Sequence, residues 1–297
     1  MPELFLPLLA ILAGCSLLYA GGNMLVMAAT FIADRIGMST VAIGATVVAV
    51  GTSAPELTVS LGAALKGHSD ISVGNVVGSN VCNIILVLGL CGMVARLRTS
   101  RQVYRLDFPI LIVVSAIFTW MIRDHEISRL EGFALMSGLV IYVFWNLRRA
   151  AEHKNVEEFI KDEVAGALEK HERHWTGLAG RAGRAIVGIF FLALGARWLV
   201  MGSLRALEPF GLSEAAIGVT VVALGTSVPE IGTSIIAAHK GQGDLAVGNA
   251  IGSSVFNLLG VLGLTAIVRP LAANEVDLLD GAILMVTSLV GMVMIAR

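Results

Sequence analysis

The sequence predicts an all-α polytopic membrane protein built from two related halves of about five transmembrane helices, one inverted relative to the other. Three observations predict this. Charged residues make up 14% of the chain, against roughly 25% in soluble globular proteins. Hydrophobic residues make up 56% and the mean hydropathy is +0.82, more apolar side chain than a soluble protein of 31.2 kDa has interior to hide. A stretch rich in polar and glycine residues also occurs twice, 174 positions apart. These features exclude a soluble enzyme, a disordered scaffold and a secreted disulfide module. A net charge of -1 gives no electrostatic basis for binding nucleic acid. Cys15, Cys82 and Cys91 lie inside apolar runs and read as small core residues, not as disulfide or metal ligands.

A crossing helix needs about 20 mostly apolar residues. On that template nine spans are expected, at 4–32, 41–65, 71–94, 107–122, 131–148, 183–204, 214–238, 245–268 and 277–296. The first is long enough to be tilted and the fourth is short. The chain enters its first span almost at once, with Glu3 and no basic segment before it, so the span is expected to be retained. With the N-terminus outside, 15 Lys and Arg fall in inside segments and five, Lys66, Arg123, Arg129, Arg205 and Arg269, fall outside. That asymmetry follows the positive-inside rule. The domains are then 1–148, a first transmembrane repeat, 149–182, a cytoplasmic connection, and 183–297, a second repeat lacking the counterpart of the fifth span. Within the connection, Val156, Phe159, Ile160, Val164, Ala167 and Leu168 recur at helical spacing and predict a short amphipathic helix.

The repeat is specific. "TVVAVGTSAPELTVS" at Thr46–Ser60 aligns with "TVVALGTSVPEIGTS" at Thr220–Ser234, and "VGNVVGSNVCNIILVLGL" at Val73–Leu90 with "VGNAIGSSVFNLLGVLGL" at Val247–Leu264. From 46 to 90, 26 of 45 positions are identical without a gap. Gly14 meets Gly188 and Gly21 meets Gly195 at the same shift. Chance likeness between apolar helices would match Leu and Val, not Thr, Ser, Pro, Glu, Asn and Gly in order. Five crossings separate the two copies, an odd number, so they point in opposite directions. Inverted repeats of this kind place a binding site near the bilayer midplane, between the halves.

Glu56 and Glu230 fall mid-span, where a carboxylate is costly unless it is paired or faces a polar cavity. Pro55 and Pro229 precede them. Proline has no N–H, so the carbonyls of Gly51 and Gly225 lose their helical donors, and such freed carbonyls beside a carboxylate make a cation site. Thr52, Ser53, Thr226 and Ser227 add hydroxyls one turn earlier. Ser79 and Asn83, like Ser253 and Asn257, stand four apart and share a helix face. Every repeated donor is oxygen, which selects hard cations. Ca2+ takes six to eight oxygens in loose geometry, and the same donors suit Na+. Asp70 and Asp244 match near span ends and are expected to cap helices, and Arg197, opposite Asn23 in the repeat, is expected to anchor the sixth helix. His171 and His174 lie in the connecting segment without a metal-binding spacing.

The paired "GTSAPE…GNVVGSNVCN" and "GTSVPE…GNAIGSSVFN" resemble the cation/calcium exchanger superfamily, in particular its prokaryotic Na+/Ca2+ exchanger branch. The resemblance covers nearly the whole chain. It implies an antiporter of Ca2+ against several Na+, working by alternating access, with ten spans in two inverted halves and long, tilted first and sixth helices that slide over the core. Carried over by motif position, it makes Glu56 and Glu230 the shared central ligands. Thr52, Ser53 and Ser79 with the Ala49 carbonyl line one Na+ site, and Thr226, Ser227 and Ser253 with the Ala223 carbonyl line its mirror. The Thr52 and Thr226 carbonyls help to hold Ca2+, and Asn83 and Asn257 sit at the centre. Two departures matter. Potassium-dependent members carry Asp at a central amide position, whereas this chain has Asn at both, which argues against K+ co-transport. The chain also shows nine spans, where ten are implied.

The leading expectation is therefore a Na+-driven Ca2+ antiporter in a prokaryotic inner membrane. It is not an enzyme, needs no cofactor, and takes Ca2+ and Na+ as substrates, with the lipid bilayer around it and no nucleic acid or protein partner. An H+-coupled Ca2+ antiporter is the nearest alternative, because both Glu could carry protons. A passive cation channel is a different class, disfavoured by inverted repeats within one chain.

Overall fold

The computed structural model of the chain describes residues 2–35, 51, 53–95, 97, 103–150, 178–239 and 243–295. The described residues are mostly helical. Helix α1 runs from Pro2 to Arg35 and α2 from Ala54 to Leu65, with Pro55 in its first turn, where a missing N–H costs nothing. Helix α3, Ser69–Val94, and α4, Val103–Asp124, follow. Helix α5, Arg129–Ala150, opens on a capping box. The Glu131 carboxylate accepts from the Ser128 N–H at 2.8 Å, and the Ser128 hydroxyl accepts from the Glu131 N–H at 3.3 Å. Helix α6 spans Leu178–Leu207. Helices α7, Glu214–Thr226, and α8, Val228–His239, meet at a 44° bend. Helix α9 runs over Gly243–Phe256 and continues through a π turn, Asn257–Val261, into Leu262–Val268. Helix α10 is Leu278–Ile295.

Six of these helices are long and apolar enough to cross a membrane, and α7 with α8 makes a seventh if the bent pair is one span. The expected span 131–148 falls within α5, a helix of 22 residues. The expected fourth span is longer than its apolar run, because a π turn at Val103–Asp107 precedes Phe108. Most of 41–65 before Ala54 lies outside the described residues, as do 156–168 with their amphipathic pattern, and His171 and His174.

One face of the bundle is tied together by connections far apart in sequence. The His68 ring meets the Glu214 carboxylate at 2.7 Å. The Arg269 guanidinium donates to the Leu65 carbonyl at 2.8 Å, and the Asp70 carboxylate accepts from the Glu275 N–H at 2.9 Å. Two short strands, β1 (Glu126–Ile127) and β2 (Leu271–Ala272), pair antiparallel. Helix α2 ends on this face and α7 begins there. Asp70 was expected to cap α3; its carboxylate instead holds the α9–α10 connection. Arg197 comes near enough to Lys66 to repel it, so burial and that guanidinium together hold the Lys66 ammonium below its usual range.

The core has two parts. A larger cluster runs from Val73 and Phe108 through Leu139 to Leu258 and Leu284. A smaller one, with Leu18, Leu192 and Leu199, joins α1 and α6 to α2 and α7. Helices α1 and α6 lie antiparallel, crossing at glycines. A methyl on Gly14 would come within 2.9 Å of the Gly195 carbonyl, and one on Gly21 within 2.7 Å of the Gly188 carbonyl. Small residues at such crossings let backbones approach closely.

Candidate functional site

The site grows out of the helix breaks. Ser53 caps α2 with non-helical backbone and no side-chain cap bond. The Ser227 backbone likewise separates α7 from α8. Both breaks precede a proline, so the sequence folds them the same way. One turn on, Glu56 and Glu230 are both fully buried.

Contacts across the two repeats bring the predicted residues together. The Ser227 hydroxyl donates to Glu56 Oε1 at 3.4 Å. The Thr226 hydroxyl lies 3.1 Å from Asn75 Oδ1, 3.1 Å from the Ala223 carbonyl and 3.3 Å from the Ser79 hydroxyl. Asn83 donates its Nδ2 to the Ser254 hydroxyl at 3.5 Å. Ser253 and Asn257 are buried on α9 and its π turn. The Ala223 carbonyl also accepts the Ser227 N–H at 3.0 Å, so both of its lone pairs are engaged here. Thr52 and Ala49 lie outside the described residues.

What the site leaves unbonded is as informative. Among the described residues, Ser53 Oγ, Glu56 Oε2, both Glu230 oxygens, Asn83 Oδ1 and Asn257 Oδ1 are buried without a hydrogen-bond partner. Unpaired buried polar atoms are rare because each carries a desolvation penalty of about 1–3 kcal/mol, more when charged. Ser72 Oγ and Ser203 Oγ, away from the motif carboxylates and amides, are unpartnered too, and Asn257 Nδ2 is an open donor, but carboxylate and amide oxygens make up most of the set. An acceptor-rich, carboxylate-bearing pocket fits a cation. The described residues contain no cluster of three or more His, Cys, Asp or Glu, so a bound cation would meet two carboxylates and otherwise neutral oxygen.

Several residues at the site escaped the sequence reading. Asn75 donates to the Ser60 hydroxyl at 2.9 Å and to the Glu56 carbonyl at 3.4 Å. Its repeat mate Asn249 donates to Ser234, the mate of Ser60, at 2.9 Å. These asparagines clamp each Glu-bearing helix to its neighbour, and their identity in the two "VGN" motifs was the available signal. The chain also relaxes into π turns at Cys82–Val87 and Asn257–Val261. Such turns occur often at functional sites and loosen carbonyls. No residue pattern announced them.

Fold and site define a polytopic helical membrane protein in which two sequence repeats meet around a buried pair of carboxylates. The profile of the sodium/calcium exchanger protein family matches residues 6–148 and 182–297, and the chain belongs to that family. It is 30% identical over 298 residues to the sodium/calcium exchanger MaX1 of Methanosarcina acetivorans, covering 91% of this chain and 85% of that protein. It is 32% identical over 274 residues to the inner membrane protein YrbG of Escherichia coli, covering 90% and 80%. The solved structure of the sodium-calcium exchanger NCX_Mj matches with a TM-score of 0.64 and 29% identity, over 99% of this chain and 92% of that one. The chain is thus an integral membrane protein, and none of these relatives is named as an enzyme.

Proposed function

We propose that this protein is a secondary active antiporter that exchanges Ca2+ for Na+ across the membrane by alternating access. The observation that carries the reading is the pair Glu56 and Glu230, fully buried at matching helix breaks, with three of their four oxygens unpartnered among the described residues. Two carboxylates balance one Ca2+ or about two Na+. Competition of the two ions for one shared charge is a physical basis for exchange. Glu56 and Glu230 would be the central ligands, with Asn83 and Asn257 supplying neutral oxygen between them. Ser53 and Ser79, with Thr52 and the Ala49 carbonyl, would serve one Na+ position. Thr226, Ser227, Ser253 and the Ala223 carbonyl would serve the other, once the Thr226 hydroxyl turns away. The hardness of these donors favours Ca2+ and Na+ over transition metals.

The reading takes 1–148 and 183–297 as inverted halves joined by a cytoplasmic segment at 149–182, and the nine spans as crossings. Two features support inversion. The repeat equates α1 with α6, and these lie antiparallel. The repeat also equates Gly14 with Gly188 and Gly21 with Gly195, while the contacts pair Gly14 with Gly195 and Gly21 with Gly188. That reciprocity is the mark of a two-fold axis between similar parts. The N-terminus would lie outside a prokaryotic inner membrane, as the Lys and Arg distribution favours.

Ca2+ uptake into proteoliposomes loaded with Na+, Li+, K+ or a pH gradient tests the reading. Saturable uptake requiring internal Na+ is expected. Uptake driven by the pH gradient alone would make it an H+-coupled antiporter, and non-saturating flux without a counter-ion would make it a channel. Cysteine labelling should reach the Lys66 and Arg129 connections from outside and the 149–182 segment from inside. The reverse pattern would overturn the orientation.

A further inference from the structure

The Thr226 hydroxyl at the end of α7 has one hydrogen to give and, among the described residues, three oxygens within its reach. Asn75 Oδ1 and the Ala223 carbonyl each lie 3.1 Å away, and the Ser79 hydroxyl 3.3 Å. A single hydroxyl hydrogen serves one acceptor well, so the three compete for it. Two of them, the Ala223 carbonyl and the Ser79 hydroxyl, are themselves proposed Na+ ligands, one for each of the two mirror positions. A lone pair that holds a hydrogen is closed to a cation. Asn75 has no such duty. Donation to Asn75 alone leaves the Thr226, Ala223 and Ser79 oxygens each with a lone pair to offer.

Asn75 is held in place for this from the other repeat's partner helix. It is fully buried on α3. Its Nδ2 donates to the Ser60 hydroxyl at 2.9 Å and to the Glu56 backbone carbonyl at 3.4 Å, both on α2. A backbone carbonyl can only accept, so the amide nitrogen belongs on the α2 side and the oxygen on the Thr226 side. Ser60 sends its own hydrogen to the Ser72 carbonyl at 3.3 Å, which leaves its oxygen to accept. We propose that Asn75 is a positioning residue for Na+: it takes the Thr226 hydrogen and so opens the Thr226, Ala223 and Ser79 oxygens to the ion. The proposal rests on the reading of those three residues as Na+ ligands. Without the Asn75 oxygen, the Thr226 hydroxyl would donate to Ala223 or Ser79, and Na+ would have to break that bond on entry. A divalent ion is held chiefly by the Glu pair, so the loss falls more on Na+ than on Ca2+.

A double-mutant cycle on the full-length protein tests this, with Ca2+ uptake into proteoliposomes measured over a range of internal Na+. Asn75→Ala should raise the Na+ concentration for half-maximal uptake by about two- to tenfold, the range for one net hydrogen bond, and by more than it raises the Ca2+ KM. In a Thr226→Val background no hydroxyl remains to be turned, so adding Asn75→Ala should shift Na+ half-saturation no further. A merely structural role would act alike in both backgrounds. The Na+-induced rise in Tm of the purified protein reads the same affinity in variants too slow for flux. Asn75→Asp keeps the acceptor oxygen and the side-chain shape, so its Na+ half-saturation should stay at or below that of the parent, and it decides the matter if Asn75→Ala does not fold. Equal Na+ half-saturation in parent and Asn75→Ala, the same shift in both Thr226 backgrounds, or a rise in Asn75→Asp would overturn the proposal and leave the exchanger reading standing. Uptake by the parent that ignores Na+ would overturn the exchanger reading, and this proposal with it.

Discussion

The two halves of the site share a motif but not a bonding state. In the first, Glu56 has one oxygen held by Ser227, and Asn83 donates to Ser254. In the second, Glu230 and Asn257 have no partner on any side-chain polar atom among the described residues. The halves also differ in the residue that faces each amide. Residues 80 and 254 are repeat mates, and each bonds the carbonyl four residues back on its own helix, Asn80 to Val76 at 2.7 Å and Ser254 to Ala250 at 2.8 Å. A hydroxyl that donates still has lone pairs to offer, so Ser254 also receives Asn83. Asn80 spends an N–H on Val76, and among the described residues its oxygen and Asn257 Nδ2 both stay open. Similar sequence therefore guarantees similar backbone breaks, but not similar satisfaction of the groups those breaks present.

The largest effect expected from this contrast is at Glu230. Glu230→Gln should abolish Ca2+ transport, because one remaining carboxylate leaves a divalent ion half-balanced in a low-dielectric site. It should not unfold the protein, since it removes a buried charge without breaking a side-chain hydrogen bond among the described residues. Glu56→Gln should abolish transport as well, but with less relief of stability, because it disturbs the Ser227 bond. Flux and Tm measured together check both. Near-normal Ca2+ flux in either variant would remove the pair from the centre of the mechanism.

A change of coupling comes next. Glu56 and Glu230 alone give the site a formal charge of about -2, which one Ca2+ neutralises and several Na+ exceed. Transport should be electrogenic, with an inside-negative potential favouring Na+ entry and Ca2+ exit, and K+ should be dispensable. Asn257→Asp puts a third carboxylate in the less satisfied half and should alter the ion dependence and introduce proton sensitivity. Flux at clamped potential, with and without K+, measures this. An absolute K+ requirement in the parent, or flux indifferent to voltage, would contradict the role given to the asparagines.

A finer comparison separates the two amides. Asn257→Ala breaks no side-chain hydrogen bond among the described residues, so it should weaken Ca2+ binding and leave stability without Ca2+ unchanged. Asn83→Ala should weaken Ca2+ binding and also lower stability by about 1 kcal/mol, the usual worth of one buried hydrogen bond. Thermal unfolding with and without Ca2+ distinguishes them, and equal stability losses would show that the asymmetry is not energetic. The smallest effect is expected from Asn80→Ser, which makes the halves alike at this position. It should change flux by no more than about tenfold, corresponding to a single hydrogen bond near 1 kcal/mol.

Much of this was legible in residues. Composition set the solvent, because 14% charge cannot cover a soluble surface of this size. Pro55 and Pro229 located the breaks, since a missing N–H is a covalent fact independent of context. Motif chemistry selected oxygen donors, and the repeat identified Glu56 and Glu230. The fourth helix was read short because Arg105 and Asp107 interrupt the apolar pattern in the π turn Val103–Asp107 before Phe108. Asp70 was read as a cap because its partner, the Glu275 N–H, lies 205 residues away.

What the sequence determined by itself is therefore what depends on covalent structure and short-range order: membrane solvent, helix breaks, donor type and the existence of two copies. What the tertiary structure decided is which donors meet and which stay open. The Ser227–Glu56, Asn83–Ser254 and Ser79–Thr226 contacts join residues 171, 171 and 147 positions apart. Glu56 and Glu230 are identical as sequence, yet among the described residues one is partly bonded and the other is not. Such contacts are set by packing between segments whose separation along the chain carries no distance information, and only the folded arrangement of both repeats supplies it.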